Sequence, residues 1–350
     1  MKVTFSVLVL ATSMTIPAGC AKPLERHTFD RPIMGTQFTV TVYARDAAGA
    51  EAAAGAALDR VEQLNAVMSD YDRTSELSRL SATAGSGRAV KVSDDLWNVL
   101  SRAQQMSRRC DGAFDVTVGP IVQLWRRARR NVELPAQRRL DEAMKATGYQ
   151  HVRLDPANRT VELLRPDMQL DLGGIAKGYA AQAALDVLKS HGLARALVDG
   201  GGDMVMGAAP PDADGWRIGI APLGPDAGPS RYLLLTDVAV ATSGDAWQYV
   251  EIDGVRYSHI VNPKTGLGLT DRSGVTVIVR LRDGGGAVAD ALASAVSVLG
   301  PKRGLELVES TPGAAALIVR KAGDSVETFE SSRMRHYPLA PETADEPAPR

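Results

Sequence analysis

An Asp-Gly pair at positions 253 and 254 separates two segments, residues 248–252 and 255–261, in which strand-forming side chains predominate. This combination is a strong signal for a β-hairpin, because the tight turn needs residues that tolerate a positive φ. Other strand-like segments also occur in pairs. Helical spacing of apolar residues between these groups predicts helices at residues 47–68, 94–110, 135–147, 174–191, 287–299 and 301–309, with Ser93 as an N-cap.

This order of segments predicts an α+β fold with mixed, mostly antiparallel sheets and packed helices. A split into two lobes near residues 150–170 would leave a site between them. The basic segment at residues 126–139 is interpreted as a solvated excursion from the core.

The charge balance restricts the partners. The 350 residues include 40 Lys and Arg against 41 Asp and Glu, which gives a formal net charge of −1. Without a basic surplus, nucleic acid is not expected as the main partner. A small anionic ligand remains possible, because a local site can bind it without bulk charge.

The first twenty residues predict export. Lys2 precedes a mostly apolar segment at residues 3–16, and small residues lead to Cys20, as in a secretory signal. The Ala-Gly-Cys ending resembles a bacterial lipoprotein processing site, although a plain signal peptide with an incidental cysteine is the alternative. We therefore expect a membrane-anchored lipoprotein on the periplasmic side. Its predicted parts are a signal peptide at 1–19, a lipid-anchored tether at 20–31, a domain at 32–335 and a disordered tail at 336–350.

Residues 171–179 (DLGGIAKGY) carry the clearest chemical signal. A carboxylate ends a predicted short strand at residues 168–171, two glycines follow, and a helix begins with Lys177 in its first turn. Free N–H groups, the helix dipole and the lysine suit a phosphate or diphosphate. The alternative is a strand-to-helix turn with glycines for packing. The segment matches neither a P-loop nor a GxGxxG fingerprint, so ordinary nucleotide-binding folds are not indicated.

Two further segments offer groups for catalysis. The glycines of residues 199–203 (DGGGD) end a strand and would let a flat ligand lie close, although a tight bend explains them equally well. His259 lies at a strand end beside Asn-Pro and Thr-Gly turns. Histidine titrates near neutrality and can act as a general base, although a hydrogen-bonded strand histidine is the commoner case.

Asp290 and Ser294 suggest a metal site. They are four residues apart and therefore share one face of a helix whose other residues are small and apolar. A buried carboxylate and hydroxyl need a partner, and a hard cation such as Mg²⁺ prefers oxygen ligands. The alternative places Asp290 in the first turn of the helix with Ser294 bonded back to its backbone. No Cys/His cluster in the sequence indicates zinc or iron.

Three segments could line a planar ligand. Residues 111–119 (DGAFDVTVG) are interpreted as a turn that runs into a strand, and they hold two carboxylates and a phenylalanine. Met34 in Met-Gly-Thr and Tyr71 in a polar loop could stack on a ring. Each of these residues is more often part of a core.

Taken together, these segments resemble the FAD:protein FMN transferase family, once called thiamine-biosynthesis lipoproteins (ApbE). The resemblance covers roughly residues 30–320 with all segments in order. The segments are 34–36 (MGT), 69–81 (SDYDRTSELSRLS), 111–120 (DGAFDVTVGP), 171–180 (DLGGIAKGYA), 198–203 (VDGGGD), 241–245 (ATSGD), 257–266 (YSHIVNPKTG) and 288–295 (VADALASA).

The resemblance implies which residues form the site, which would lie between the two lobes. Mg²⁺ would bind the carbonyl of Gly174, the carboxylate of Asp290 and the hydroxyl of Ser294, where the family more often has threonine. His259 would be the base that activates the acceptor hydroxyl. The implied FAD contacts are Met34, Tyr71, Ala113, Phe114, Asp115, Asp171, Lys177 and Ile260.

The resemblance also implies a Mg²⁺-dependent reaction with FAD as the substrate. The enzyme would cleave the phosphoanhydride of FAD, attach FMN through a phosphoester to a Thr or Ser of a client flavoprotein, and release AMP. Clients are typically subunits of membrane redox complexes. Two other functions stay open: Mg²⁺-dependent hydrolysis of FAD to FMN and AMP, and flavin binding by a lipoprotein without turnover.

Overall fold

The computed structural model of the chain describes residues 22–220, 223, 229, 231–244, 248–323 and 325–341. The predicted signal peptide, Cys20 and residues 342–350 of the predicted tail lie outside the described residues. The strands are β1 Glu25–Ile33, β2 Thr36–Ala44, β3 Val90–Lys91, β4 Val152–Asp155, β5 Thr160–Leu163, β6 Ala196–Gly200, β7 Asp203–Met206, β8 Trp216–Ile220, β9 Arg231–Leu235, β10 Val238–Gly244, β11 Tyr249–Ile252, β12 Val255–Ser258, β13 Ser273–Arg280, β14 Ala314–Ala322 and β15 Ser325–Glu330. The α-helices are α1 Ala47–Met68, α2 Glu76–Ser81, α3 Asp94–Arg109, α4 Gly119–Asn131, α5 Gln137–Lys145, α6 Ala176–Ser190 and α7 Gly285–Glu309.

The main sheet has eight strands in the order β1-β2-β6-β7-β10-β13-β14-β15. Every neighbouring pair in it is antiparallel. Smaller antiparallel sheets are formed by β3-β5-β4, β8-β9 and β11-β12. The prediction of an α+β fold with mostly antiparallel sheets is confirmed, and the predicted hairpin around Asp253 and Gly254 is the β11–β12 pair. The division into two lobes stays a prediction.

The two faces of the main sheet are covered by different elements. Alternate residues of β14 point to opposite faces, as the pleat requires. Ala316 and Ile318 join the core under the helices, whereas Ala315 and Leu317 join a second core with the β8–β9 hairpin. Helices α1, α3, α6 and α7 therefore form one layer on the sheet, and the β8–β9 hairpin covers the other side.

A third, smaller core joins α4 and α5 to the β11–β12 hairpin. Ile121, Trp125 and Leu140 from the helices pack with Val250 and Val261 from the hairpin segment. The Trp125 ring also lies 5.1 Å from the Tyr257 ring, and its Nε1 donates to the carbonyl of Gly266 at 2.8 Å. This core fixes the position of the loop that carries His259.

The helix starts follow local rules. Ser93 caps α3 by accepting a hydrogen bond from the backbone N–H of Leu96 at 3.3 Å, which confirms the predicted N-cap. The predicted helices at 287–299 and 301–309 are the two halves of α7, which is broken where Gly300 takes a φ of 73°. No helix within the described ranges is long and apolar enough to cross a membrane.

The predicted tether is wrong from Glu25 onward. Residues 25–33 form β1, which pairs along its whole length with β2. The charged residues of β1 sit on an edge strand, where charge is common because it opposes edge-to-edge aggregation. Arg31 of this strand pairs with Asp59 on α1 at 2.7 Å.

The predicted disordered tail is also wrong over its first residues. Leu234 donates its backbone N–H to Pro338, and Ala340 donates to Tyr232, so residues 338–340 run along β9. An edge strand offers unpaired N–H and C=O groups that such a segment can satisfy. The domain therefore extends beyond the predicted boundary at 335.

The crossing of α6 and α7 depends on Gly178. A Cβ added there would lie 2.2 Å from the carbonyl oxygen of Gly286. We expect Gly178→Ala to lower the free energy of unfolding by about 1–3 kcal/mol, because the two helices must move apart. Gly55→Ala on α1 is the control, since a Cβ there meets nothing within 4 Å. Chemical denaturation of both variants measures the difference, and equal stability would show that the crossing can adjust.

Candidate active site

Lys177 lies in the first turn of α6, directly after the glycine turn. Its ammonium pairs with the buried carboxylate of Asp203 at the start of β7. Burial disfavours the charged lysine, but Asp290 and Asp203 outweigh that cost and raise the pKa of Lys177 above its ordinary value. Lys177 is therefore a fixed positive charge, and its contact with Asp203 places the DGGGD segment beside the first glycine turn.

Asp290 and Ser294 meet the glycine turn across the α6–α7 crossing. The Asp290 carboxylate accepts the backbone N–H of Gly178 at 3.1 Å. A Cβ added to Gly174 would lie 2.8 Å from Ser294 Oγ, so the backbone of Gly174 passes close to that hydroxyl. The three residues that the resemblance assigns to Mg²⁺ thus converge in space.

The surroundings of Asp290 favour a cation. Burial, reinforced by the charge of Asp203, raises the pKa of Asp290 to about 7, against the opposing effects of Lys177 and the Gly178 N–H. A bound cation would stabilise the ionised carboxylate that burial disfavours. The donors are a carboxylate, a hydroxyl and a backbone carbonyl, and this all-oxygen set suits Mg²⁺.

One alternative for Ser294 was a hydroxyl bonded back to the backbone of its own helix. Ser297 Oγ makes such a bond, to the Ala293 carbonyl at 2.9 Å. Ser294 Oγ has no hydrogen-bond partner among the described residues, so the predicted alternative of a back-bonded Ser294 is wrong. The described residues contain no group of three or more His, Cys, Asp or Glu that could hold a metal. The site therefore depends on backbone and hydroxyl oxygens in addition to one carboxylate.

Asp171 is held by a residue that sequence analysis placed in solvent. Arg126 on α4 pairs with Asp171 at 2.9 Å and also with Asp70. Its guanidinium lies 4.1 Å from the centroid of the Tyr71 ring. Burial and the charge of Asp70 raise the pKa of Asp171, and Arg126 opposes them. The predicted excursion at residues 126–139 is wrong, because residues 119–131 form α4 and its apolar side packs into the third core.

Phe114 lines the glycine turn, whereas Asp115 stabilises its own loop. The Phe114 ring would lie 3.3 Å from a Cβ on Gly174. The buried Asp115 carboxylate accepts from the Thr117 N–H and hydroxyl and from the Tyr149 N–H, all within 2.8 Å. Ala113 is buried beside them. Contacts of Ala113, Phe114 and Asp115 with FAD stay predictions.

Two predicted strands in this region are replaced by a single bridge. Residues 111–119 run into α4, and residues 168–171 join them through the parallel bridge between Val118 and Gln169 and a hydrogen bond from the Asp171 N–H to the Val116 carbonyl at 2.8 Å. A Cβ on Gly119 would lie 2.5 Å from the Gln169 carbonyl oxygen. The close approach of these two segments therefore depends on the absence of a side chain at Gly119.

Met34 occupies the turn between β1 and β2. Met34 and Gly35 both have positive φ, 53° and 73°, as a two-residue hairpin turn requires. The next residue, Thr36, lies against Gly201, since a Cβ there would be 2.2 Å from Thr36 Oγ1. Asp203 is two residues beyond Gly201 and pairs with Lys177. The Met34 turn therefore lies at the same end of the sheet as the lysine.

His259 follows β12 and is fixed by the chain across the hairpin. Its backbone N–H donates to the Gln248 carbonyl at 3.0 Å, and its ring Nδ1 lies 3.1 Å from the same oxygen. A neutral imidazole that donates from Nδ1 carries its lone pair on Nε2, which is the form a general base needs. Ile260 is half-buried and donates its N–H to Ser258 Oγ at 3.1 Å.

Helix α4 connects the parts of the site. Trp125 packs in the core that positions the His259 hairpin, and the next residue, Arg126, binds Asp171 and stacks on Tyr71. The sequence patterns did not indicate Arg126, Asp70 or Asp203 as site residues. The available signal for Arg126 was its position beside a tryptophan at the helical spacing of a buried face.

In this α+β chain a glycine turn, a buried lysine and a buried carboxylate converge, an arrangement with the groups needed to hold a polyanion and a hard cation together. Comparison with known proteins identifies the family. The sequence matches the ApbE family over residues 34–318. The chain belongs to the ApbE family.

Relatives and solved structures agree with this assignment. The chain is 32% identical over 335 residues to the FAD:protein FMN transferase of Vibrio cholerae, which covers 94% of this chain and 98% of the relative. It is 35% identical over 305 residues to the FAD:protein FMN transferase of Treponema pallidum, with 82% of each covered. The structure of the flavin transferase ApbE from Vibrio cholerae superimposes with a TM-score of 0.78 at 30% identity, covering 90% of this chain and 100% of that one.

Proposed function

We propose that this protein is an FAD:protein FMN transferase that requires Mg²⁺. It cleaves FAD, joins FMN by a phosphoester bond to a Thr or Ser of a client flavoprotein, and releases AMP. The convergence of Gly174, Asp290 and Ser294 beside Lys177 is the observation that carries the proposal. It offers a cation site and a fixed positive charge at one glycine turn, and cleavage of a diphosphate needs both.

The chemistry requires neutralisation of the diphosphate. Gly174, Asp290 and Ser294 would hold Mg²⁺, which supplies Lewis-acid stabilisation of charge on the phosphoryl oxygens. Lys177, held charged by its carboxylate neighbours, adds a second positive charge next to the same turn. These groups act on an electrophile that its own negative charge would otherwise protect from attack.

His259 supplies the base. It accepts the proton of the client hydroxyl while that oxygen attacks the phosphorus of the FMN half. The bond from phosphorus to the AMP oxygen breaks, and AMP leaves with the electron pair. The hydrogen-bonding of Nδ1 to the Gln248 carbonyl supports this role, since it orients the ring and selects the tautomer.

Tyr71 and Met34 would contact the flavin. The Tyr71 side chain is 76% exposed although Arg126 covers one face of its ring, so the other face is open to a planar ligand. Met34 is half-buried in its turn near Lys177 and adds a polarisable apolar surface. Client specificity would then depend on surfaces around this opening.

Export and anchoring form a separate part of the proposal. The signal-like first nineteen residues and the Ala-Gly-Cys sequence support acylation of Cys20 and a place on the periplasmic side of the membrane. Clients would be subunits of membrane redox complexes. Detergent extraction of the full chain, with release of Cys20→Ser into the soluble fraction, tests the anchor.

A client-labelling assay tests the reaction. The purified protein is incubated with FAD, Mg²⁺ and a client fragment, and covalent flavin is detected by fluorescence after denaturing electrophoresis. We expect labelling with one AMP released per labelled client, and loss of both on chelation of the metal. A fragment whose acceptor threonine is replaced by valine is the control.

The other outcomes of this assay identify other functions. FMN and AMP without labelling would indicate an FAD hydrolase, with water as the acceptor. Binding of FAD without any turnover would indicate a flavin-binding protein. Activity that survives chelation would overturn the metal assignment of Asp290 and Ser294.

A further inference from the structure

Arg126 joins two segments that are far apart in the sequence. From α4, its guanidinium binds the carboxylates of Asp70 and Asp171 and lies 4.1 Å from the centre of the Tyr71 ring. The side chain is only 18% exposed. A planar fork of donors can hold two carboxylates and a ring face at once, which a point charge cannot do.

One of these contacts leads directly to the glycine turn. Asp171 Oδ2 faces Arg126, and Asp171 Oδ1 accepts the backbone N–H of Gly173 at 2.8 Å. Gly173 precedes Gly174, which lies against Ser294. The orientation of Asp171, and through it the turn, therefore depends on Arg126.

The other contact leads to the exposed aromatic ring. The Tyr71 loop has its own hydrogen bonds, in which Ser69 Oγ accepts the N–H groups of Tyr71 and Asp72. These bonds fix the backbone but not the ring, which is largely exposed. Among the residues that the structure describes, Arg126 stacks its guanidinium on that ring. Without it, the ring would regain rotamer freedom that a bound ligand must then remove.

We propose that Arg126 is a positioning residue that sets the Tyr71 ring and the Asp171–Gly174 turn at a fixed separation, so that the two ends of FAD find their partners in one preformed site. The inference rests on the proposed function. Arg126 differs from an ordinary surface ion pair. Exposed ion pairs contribute little to stability, whereas Arg126 is half-buried between two carboxylates and a ring. Arg126 acts through Tyr71 and Asp171 and is not itself a catalytic residue.

The test is FAD binding by flavin fluorescence, without client, together with steady-state labelling. We expect Arg126→Gln to raise the FAD dissociation constant and KM about tenfold, since misplacing two ligand contacts costs at least one stacking interaction. We expect kcat at saturating FAD and Mg²⁺ to change less than about threefold. Arg127→Gln is the matched control, because Arg127 is the exposed neighbour on the same helix.

A double-mutant cycle separates positioning from general stability. In a Tyr71→Ala background, we expect Arg126→Gln to weaken FAD binding by less than about threefold, because the part of its effect that acts through Tyr71 is already removed. Arg126→Lys keeps the charge but not the fork, and should weaken binding by an intermediate factor. It also supplies the test if Arg126→Gln does not fold.

The results of these experiments separate the role of Arg126 from the proposed function. Additive effects of the Arg126 and Tyr71 substitutions, an unchanged dissociation constant in both Arg126 variants, or a lower kcat with unchanged KM would overturn the role of Arg126. In each of these cases the wild-type protein still binds FAD and labels the client, so the proposed function stands. Failure of the wild-type protein to bind FAD would instead overturn the proposed function.

Discussion

Asp290→Asn is expected to lower Mg²⁺-dependent turnover of FAD by about a thousandfold, the size of effect found when a principal electrostatic group is removed from a site. The substitution keeps the shape of the side chain and an oxygen that can accept the Gly178 N–H. It removes the only carboxylate of the proposed ligand set. The measurement is the rate of AMP release at saturating FAD over a Mg²⁺ titration.

The same substitution should stabilise the metal-free protein above neutral pH. The pKa of Asp290 is about 7 in the fold and 3.8 in the reference state, so the folded protein holds this proton more tightly than the unfolded chain. The contribution of Asp290 to the free energy of unfolding therefore falls as the pH rises from about 4 to about 7, and stays low above that. Asparagine cannot ionise and does not undergo this loss, so the Tm at pH 8 should rise.

Asp186→Asn on the exposed side of α6 is the control for both measurements. It should change neither turnover nor Tm by more than a small amount, because exposed carboxylates contribute little. The assignment of Asp290 to the metal would be contradicted by an Asp290→Asn variant that keeps its Mg²⁺ response. A lower Tm at pH 8 would show that the negative charge of Asp290 stabilises the fold.

The elements that the sequence predicts correctly are those that a few neighbouring residues determine. The Asp-Gly turn, the Ser93 cap and the glycine turn before α6 each follow from the conformational needs of a few neighbouring residues. The approach of α7 to that turn was implied by the family resemblance rather than by any local pattern. Nothing in residues 171–179 alone places Ser294 beside Gly174, since that contact arises from the packing of two helices.

Two of the errors concern segments rich in charged residues. Residues 126–139 were interpreted as solvated because they are basic, and residues 20–31 were interpreted as a tether. In β1 the charges lie on an edge strand, and in α4 Arg126 lies beside the buried side of the helix and pairs with Asp70 and Asp171. The helical spacing around Trp125 indicated that α4 packs against the core, but the carboxylate partners of Arg126 did not follow from it, because Asp70 and Asp171 are distant in the sequence.

His259→Ala is expected to lower kcat for client labelling by about 10²- to 10⁴-fold, the range attributed to a positioned general base. The affinity for FAD should be nearly unchanged, because the described contact of the ring is to the Gln248 carbonyl on the hairpin. Single-turnover labelling, with FAD already bound, measures the chemical step apart from substrate binding.

A matched control is His191→Ala at the exposed C-terminal end of α6, which should label the client at the wild-type rate. His259→Gln is the sharper variant, because its side chain can still hydrogen-bond to the Gln248 carbonyl but cannot take up a proton near neutral pH. If His259→Gln labelled as fast as the wild-type protein, hydrogen bonding alone would account for the residue and another group would have to accept the proton. If His259→Gln were as slow as His259→Ala while FAD bound normally, the loss would lie in proton transfer, since the glutamine variant keeps the hairpin contact and the substrate site.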